Sequence, residues 1–589
     1  MASVETTQVD SRAAREETKY TLFASGDTML AGRVPSRVYE KGYQHPLAAV
    51  KDLIENADIA MTNLECVVST RGRFWNKGET KPWLFRAPPE MLDVLTEVGF
   101  DLAITANNHA MDYGPEALLE QREYLEAAGI AHVGSGKNRK EAARPAYIGV
   151  GDLIVAFIGL ETTFKILAAT RNRPGIHHAK RNRTILRVLK KLIAEARKHA
   201  DLVVFSPHWG DNYTENPTQE RIELAQAIID LGCDAILGHS AHQLHGIKIY
   251  RGRPIIYDMG TFLFDSVRVN RMRLSAGFLL EFSKRGFTKL EIHPLLLQPA
   301  KVLRAKGKSL VKIQDIILKQ TQALDPKLEL TREGDALVAQ LTPESRSTQK
   351  RTNPKRIHRA GITRRLPGPL RERKSDVVLD IAPAWARGFD PVELDNEVRI
   401  LGARSSDAVR PGNGFKAEIA LLAPGSLKGA RWEASIKGLR RGGGGRFTWR
   451  HPIADGAWVP EIWKKGEIII DRTLVRYKSV REGLYDLFYR MENLSNRTVA
   501  RPQDRSRGDD DNFVLIGKIQ MAMKGIPRGP AGVLWSGRLN RAGKPVAEDG
   551  IPGRQLPKDQ NICLWLARIV LDAIGLGSFA RRLLKRLKN

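Results

Sequence analysis

Between Lys19 and Leu341 short apolar runs alternate with segments whose apolar residues recur at helical spacing, and each run stops at a cluster of polar side chains. Residues 20–24 form the first run, which breaks at Ser25-Gly26-Asp27-Thr28. Residues 59–64 end in Asn63-Leu64-Glu65, and residues 102–105 are followed by Asn107-Asn108-His109. Residues 202–205 stop at Ser206-Pro207-His208-Trp209-Gly210, and residues 235–237 stop at Gly238-His239-Ser240-Ala241-His242. Unbroken runs of this length predict buried strands, and the helical spacing predicts helices over 46–56, 88–98, 183–199, 219–231 and 308–324. Two strands separated by a helix lie parallel in one sheet, so their carboxyl ends share an edge. Open α/β sheets hold their ligands at that edge.

The pattern changes after residue 342. Residues 343–375 carry many Lys and Arg, several Pro and no apolar periodicity, and are expected to form a basic flexible linker. Residues 376–491 read as short alternating strands, which predicts a β-sandwich accessory domain. Residues 492–560 are rich in Pro, Gly and charge and are expected to be weakly ordered. In residues 561–589 apolar positions recur at helical spacing and the end is basic; this tail is too interrupted to span a bilayer and fits an amphipathic helix on an anionic membrane, or one docked on the protein itself. Residues 1–18 are expected to be a flexible N-terminus. They lack the apolar core of a secretory signal, so a cytoplasmic protein is expected, held at the inner face of the cell membrane if the tail binds there.

Charge sharpens the choice of partner. The 589 residues include 94 Lys and Arg against 66 Asp and Glu, a formal net charge of +28, which calls for an anionic partner: a polymer, a lipid surface or nucleic acid. No RNA- or DNA-binding module is recognisable, so nucleic acid is not the expected one. The three cysteines, Cys66, Cys233 and Cys563, are scattered and imply no disulfide framework.

Singly, Asp27 and Asn108 read as turn or capping residues, Glu65 as a solvated carboxylate and His109 as a loop histidine. Together with His208, His239 and His242 at further strand ends they read as a site for a divalent metal, which takes imidazole nitrogen and carboxylate oxygen at about 2.0–2.2 Å. Between two of these clusters lies a basic, aromatic loop with Arg71, Arg73, Lys77, Lys81 and Arg86 among Phe74, Trp75, Trp83 and Phe85. It is expected either to clamp an anionic substrate or to be an ordinary basic surface loop. His177 and His178 are expected on a solvated basic face. Trp449, Trp458 and Trp463 are expected to pack within the second domain or to stack on sugar rings.

The phrases FASGDTML, TNLECVVS, KPWLFRAPPEMLDVLTEVGFDLAITANNHAMDYG, SPHWGDNY and CDAILGHSAHQLHGIKIYRGRPIIYDMGTFLFD resemble the CapA family of poly-γ-glutamate capsule synthesis proteins, whose core is similar to calcineurin-like metallophosphoesterases. The resemblance spans residues 19–341. It implies a layered α/β sandwich over 19–342, with the smaller all-β domain after it. It also implies Asp27, Glu65, Asn108, His208, His239 and His242 as ligands of a divalent metal (Mn, Zn, Fe or Mg) and His109 as general acid or substrate contact. The implied function is metal-dependent hydrolysis or transfer in synthesis of an anionic cell-surface polymer, or a non-catalytic polymer-binding scaffold in a membrane-associated synthesis complex. Three positions depart from the family pattern: Met29 stands where a histidine is usual in two-metal phosphoesterases, Ala241 replaces a proline and Thr261 an asparagine. The second domain resembles β-sandwich domains appended to some cell-envelope glycosyltransferases.

Overall fold

In the strands Tyr20–Thr28 and Leu202–His208 successive side chains leave opposite faces of the sheet, and both faces are covered, which is why these stretches are apolar without interruption. Leu22 and Ala24 belong to a core shared with Leu202 and Val204. Phe23 lies instead in an outer core with Leu95, Tyr124 and Leu125, and Val203 and Phe205 in another with Ile185, Leu189 and Ile228. The layers therefore run helix, sheet, sheet, helix, and this part of the protein is an α/β sandwich.

The computed structural model describes residues 17–521 apart from positions 74, 76, 78–82, 266–269, 345–350, 368–369, 371–377, 380–381, 387–388, 407–414, 428–431, 457–462, 476–482, 494–496 and 505–510. In the larger sheet Tyr20–Thr28, Ile59–Leu64, Leu102–Ile104 and Ala131–Val133 are parallel neighbours. The antiparallel strands Leu274–Ser283 and Gly286–Gln298 extend it on the other side of the first strand. The smaller sheet has Leu153–Glu161, Leu202–His208, Ala235–Leu237 and Arg253–Ile256 in parallel order. Helices Asn182–Arg197 and Gln219–Asp230 make its crossovers, the second capped by Thr218, whose side chain accepts from the Arg221 amide. Among the described residues no helix is long and apolar enough to cross a membrane.

The stretch expected as a free linker is partly fastened to this sandwich. His358–Arg359 adds a parallel strand to Ala146–Val150, the Gly361 amide donates to Asp101 at 2.7 Å, and the Leu366 amide donates to Asp93 at 2.9 Å. Leu366 itself is buried in the outer core. One apolar anchor and a few backbone hydrogen bonds suffice to hold such a segment, and neither leaves a periodic signature. Beyond it, Val378–Leu379, Ile468–Val475, Phe415–Leu422, Arg399–Ser406 and Val392–Glu393 form one antiparallel sheet. Arg446–Pro452, Trp432–Arg440, Gly483–Asn493 and Thr498–Val499 form a second, which Val514–Met521 joins along Gly483–Asn493. The two share one core, with Ile419 and Ile469 from one and Ile436, Tyr485 and Leu487 from the other. The second sheet thus continues past residue 491, into the stretch expected to be weakly ordered. Of the aromatic side chains noted in the sequence, Trp463 is buried in this core and Trp449 donates to Thr473 at 3.1 Å, so both pack; Trp458 lies outside the described residues.

Candidate metal centre

Register brings the polar clusters together. Asp27 pairs with Asn63 across the parallel strands, His208 pairs with Glu161, and a single bridge joins His208 to His239. The first strand also approaches the 259–260 backbone, where the Asp27 amide donates to the Gly260 carbonyl at 2.9 Å. A Cβ on Gly26 would lie 1.9 Å from that carbonyl oxygen, so this approach requires glycine.

Asp27 stands at the junction of the two sheets. Its Oδ2 is 2.9 Å from His242 Nδ1, its Oδ1 is 3.8 Å from His239 Nδ1, and Asn63 donates to Oδ1 at 2.7 Å. Glu65 Oε1 lies 3.8 Å from His242 Nε2 and 4.0 Å from both His208 Nε2 and His109 Nε2. His208 and His239 bring their Nδ1 atoms to 2.8 Å. Two groups result in which one donor atom from each residue lies within 4.8 Å of the others: Asp27, His208 and His239, and Asp27, Glu65 and His242. Both Glu65 oxygens and His239 Nε2 are buried without a hydrogen-bond partner. Buried polar atoms without partners are costly and uncommon, and a cation among these donors would satisfy them. The residues present fit a divalent metal.

The charges point the same way. Burial, reinforced by the Asp27 carboxylate, pushes the Glu65 carboxyl well above its usual range, and the same two causes raise Asp258. Burial drives His208 well down and His239 to about 3. Burial alone would also depress His242, but the Glu65 and Asp27 carboxylates outweigh it and push it up to about 10. Asp27, despite its burial, is held below the carboxylate range by His242. The site therefore gathers one positive charge between Asp27 and Glu65. The loop carrying His242 is fastened by Asp258, which accepts from the Ala241 amide at 2.7 Å and the Gly260 amide at 2.8 Å. Tyr213, Ser240 and His242 all have positive φ, at 66°, 119° and 58°, a crowding of strained residues typical of a working site.

His109 is held from behind. Its Nδ1 is 2.7 Å from Asp112 Oδ2, which also accepts from the Phe85 amide at 2.8 Å. Asp112 Oδ1 pairs with the buried Lys77 ammonium at 2.9 Å. Nε2 is thereby turned toward Glu65.

Asp27, Glu65, His109, His208, His239 and His242 thus meet at one place. Asn108 has its side-chain oxygen buried without a hydrogen-bond partner, while its carbonyl accepts from Lys77 at 2.9 Å. Of the expected clamp, Arg71 is half exposed with Nε 3.5 Å from Glu120, and Arg73 is exposed. Arg86 is buried, donating to the Gly72 carbonyl at 3.1 Å and stacked 3.5 Å over the Tyr113 ring, so it braces the loop. Lys81 lies outside the described residues. His177 is buried against the Gly159 carbonyl at 2.7 Å, and His178 Nδ1 is 2.7 Å from Glu161, so neither occupies a solvated face. Sequence reasoning missed Asp112 and Asp258. Asp258 follows an apolar run just as Asp27 does, which was a usable signal.

Residues 21–266 match the family described as bacterial capsule synthesis protein PGA_cap. The PGA biosynthesis protein CapA of Bacillus subtilis is 30% identical over 287 residues, 48% of this chain and 73% of that protein. The capsule biosynthesis protein CapA of Bacillus anthracis is 30% identical over 285 residues, 48% of this chain and 69% of its own length. Among solved structures, the NAD nucleotidase NadN of Haemophilus influenzae aligns with 52% of this chain and 60% of its own, at 14% identity and a TM-score of 0.29. With the strand-end motifs, their shared site and relatives matched over more than two thirds of their length, the chain belongs to the CapA family of bacterial capsule synthesis proteins.

Proposed function

We propose that the protein is a divalent-metal-dependent hydrolase or transferase acting on an anionic cell-surface polymer, or its precursor, during capsule or poly-γ-glutamate synthesis. The observation that carries this reading is the buried meeting of Asp27, Glu65, His208, His239 and His242 with His109 at its edge. These five side chains would hold the metal, and the mixed nitrogen and oxygen donors favour Zn, Fe or Mn over Mg. When bound, such an ion polarises a phosphoryl or acyl oxygen and lowers the pKa of water. His109, oriented through Nδ1 by Asp112, presents Nε2 to the same space and gives a proton to the leaving group. His109 and, after it, Lys77 outweigh burial and hold the Asp112 carboxyl below its usual range beside the ring. The names of the Bacillus relatives supply the polymer. Residues 561–589, outside the described residues, would hold the protein to the inner face of the membrane.

Elemental analysis of purified protein, followed by assay on phosphoester and amide substrates with Mn, Zn, Fe or Mg supplied, tests the proposal. We expect near-stoichiometric metal that Asp27→Ala abolishes. His109→Ala should keep its metal and lose about 10²–10⁴-fold in turnover. Bound metal without turnover on any substrate would favour the second reading, a polymer-binding scaffold. One observation supports that reading: Met29, where a metal-binding histidine is usual, is buried and offers the site no imidazole.

A further inference from the structure

Tyr213 holds a left-handed backbone conformation, with φ at 66°. A residue with a Cβ is strained there, and glycine or asparagine adopts the conformation more readily, yet the chain places tyrosine at this position and Asn212 beside it. Three hydrogen bonds keep the loop in this shape. The Tyr213 amide donates to the Ala241 carbonyl at 2.8 Å, Ser240 Oγ donates to the Gly210 carbonyl at 3.2 Å, and His245 Nε2 lies 2.8 Å from the Thr214 carbonyl. The loop is thereby laced to the one that carries His239 and His242.

Burial does little to offset this strain, because Tyr213 is 47% exposed, and among the described residues its hydroxyl has no hydrogen-bond partner. The ring nevertheless faces the metal centre. It lies 6.1 Å from the His242 ring and ends a row of ring contacts that begins at His109: His109 to Phe85 at 4.4 Å, Phe85 to Phe264 at 5.4 Å and Phe264 to His242 at 5.6 Å. At the far end of the row His109 Nε2 stands 4.0 Å from Glu65. Burial and then the same Glu65 carboxylate raise the Tyr213 phenol, which therefore keeps its proton within electrostatic reach of the centre. A strained side chain that presents an idle donor to a cluster of metal ligands marks a group whose partner is a ligand.

We propose that Tyr213 is a further catalytic residue, whose phenolic O–H donates a hydrogen bond to a non-leaving oxygen of the phosphoryl or acyl group held at the centre. The phenol transfers no proton. His109, from the other end of the row, serves the leaving group, so the two donors act on different oxygens of one substrate. The hydrogen bond strengthens as negative charge gathers on the non-leaving oxygen, which is where a fixed donor lowers a barrier. The assignment rests on the proposed hydrolase or transferase activity and adds the group that stabilises the charge it develops.

The test is titration of inorganic phosphate and of acetate, the product anions of phosphoryl and acyl transfer, into the full chain loaded with Zn or Mn. Tyr213→Phe should weaken whichever anion wild type binds more tightly by about tenfold or more. Its metal content and melting temperature should equal those of wild type, because the hydroxyl it removes touches nothing in the protein. On a substrate that wild type turns over, kcat should fall about 10²–10³-fold with KM changed far less. If Tyr213→Phe binds the anion and turns over as wild type does while His109→Ala loses turnover, the ring only packs on His242 and the hydrolase reading survives. A fall in melting temperature that accompanies the weaker binding would give the hydroxyl a structural role instead. If metal-loaded wild type binds neither anion and turns over no substrate, both readings fall.

Discussion

Replacing Glu65 with methionine should have opposite effects with and without metal. The carboxyl is fully buried, neither oxygen has a hydrogen-bond partner, and the nearest imidazole nitrogens stand 3.8–4.0 Å away. A buried polar group left in that state costs roughly 1–3 kcal/mol, and methionine matches its length closely enough to leave little void. The loss of one carboxylate beside His242 subtracts from the gain, but Asp27 remains at 2.9 Å. In EDTA, Glu65→Met should therefore unfold at or a few degrees above wild type, where an average substitution destabilises by about 1 kcal/mol. Metal at a thousandfold excess over Kd stabilises wild type by about 4 kcal/mol, and the variant, lacking a ligand, gains little of this. Thermal melts of both proteins in EDTA and in Zn or Mn read the inversion directly. If Glu65→Met is several kcal/mol less stable than wild type in EDTA, the carboxylate has a structural partner. If metal stabilises both equally, Glu65 is not a ligand.

Two further outcomes follow from groups away from the centre. Burial holds the His177 imidazole down at about 4, below its unfolded value near 6.5, so its contribution is complete above pH 6.5 and is lost as pH falls toward 4. The shift corresponds to about 3 kcal/mol; His177→Gln should flatten the fall in melting temperature between those pH values, and an unchanged fall would refute it. Leu366→Ala should cost roughly 2–5 kcal/mol of local stability and expose residues 351–366 to protease, and unaltered protection would show that the leucine does not anchor this segment.

The parallel strands were legible because burial on both faces leaves unbroken apolar runs, and their polar stops marked the site. The antiparallel strands Leu274–Ser283 and Gly286–Gln298 escaped because they interleave partly exposed residues such as Leu279, Glu281 and Lys289 with buried ones. His358–Arg359 could not be read at all: a two-residue strand inside a basic stretch has no period. The direction of a cation is equally hidden. Arg71 and Arg86 look alike in the loop, yet Arg86 turns inward because the ring of Tyr113 and the carbonyl of Gly72 await it, and both are set by tertiary structure.

The departures at Ala241 and Met29 bear on how the centre is charged and what it joins. Proline has no amide hydrogen, so a proline at 241 could not make the 2.7 Å donation that Ala241 gives to Asp258. Alanine there lets Asp258 fasten both sides of the loop between His242 and Gly260, which fixes the imidazole against Asp27. Met29 belongs to the outer core behind the larger sheet, and its sulfur accepts from the Ala31 amide at 3.0 Å. The larger sheet consequently contributes only oxygen to the centre, from Asp27 and Glu65, while all three clustered ligand imidazoles come from the smaller one. A cation held by this set would join the two sheets across their shared core. Losing it would loosen their packing as well as the chemistry, because His242 is then the one imidazole of the three that offers a charge to the carboxylate side, while the depressed imidazoles His208 and His239 offer none and both Glu65 oxygens and His239 Nε2 stand buried without partners.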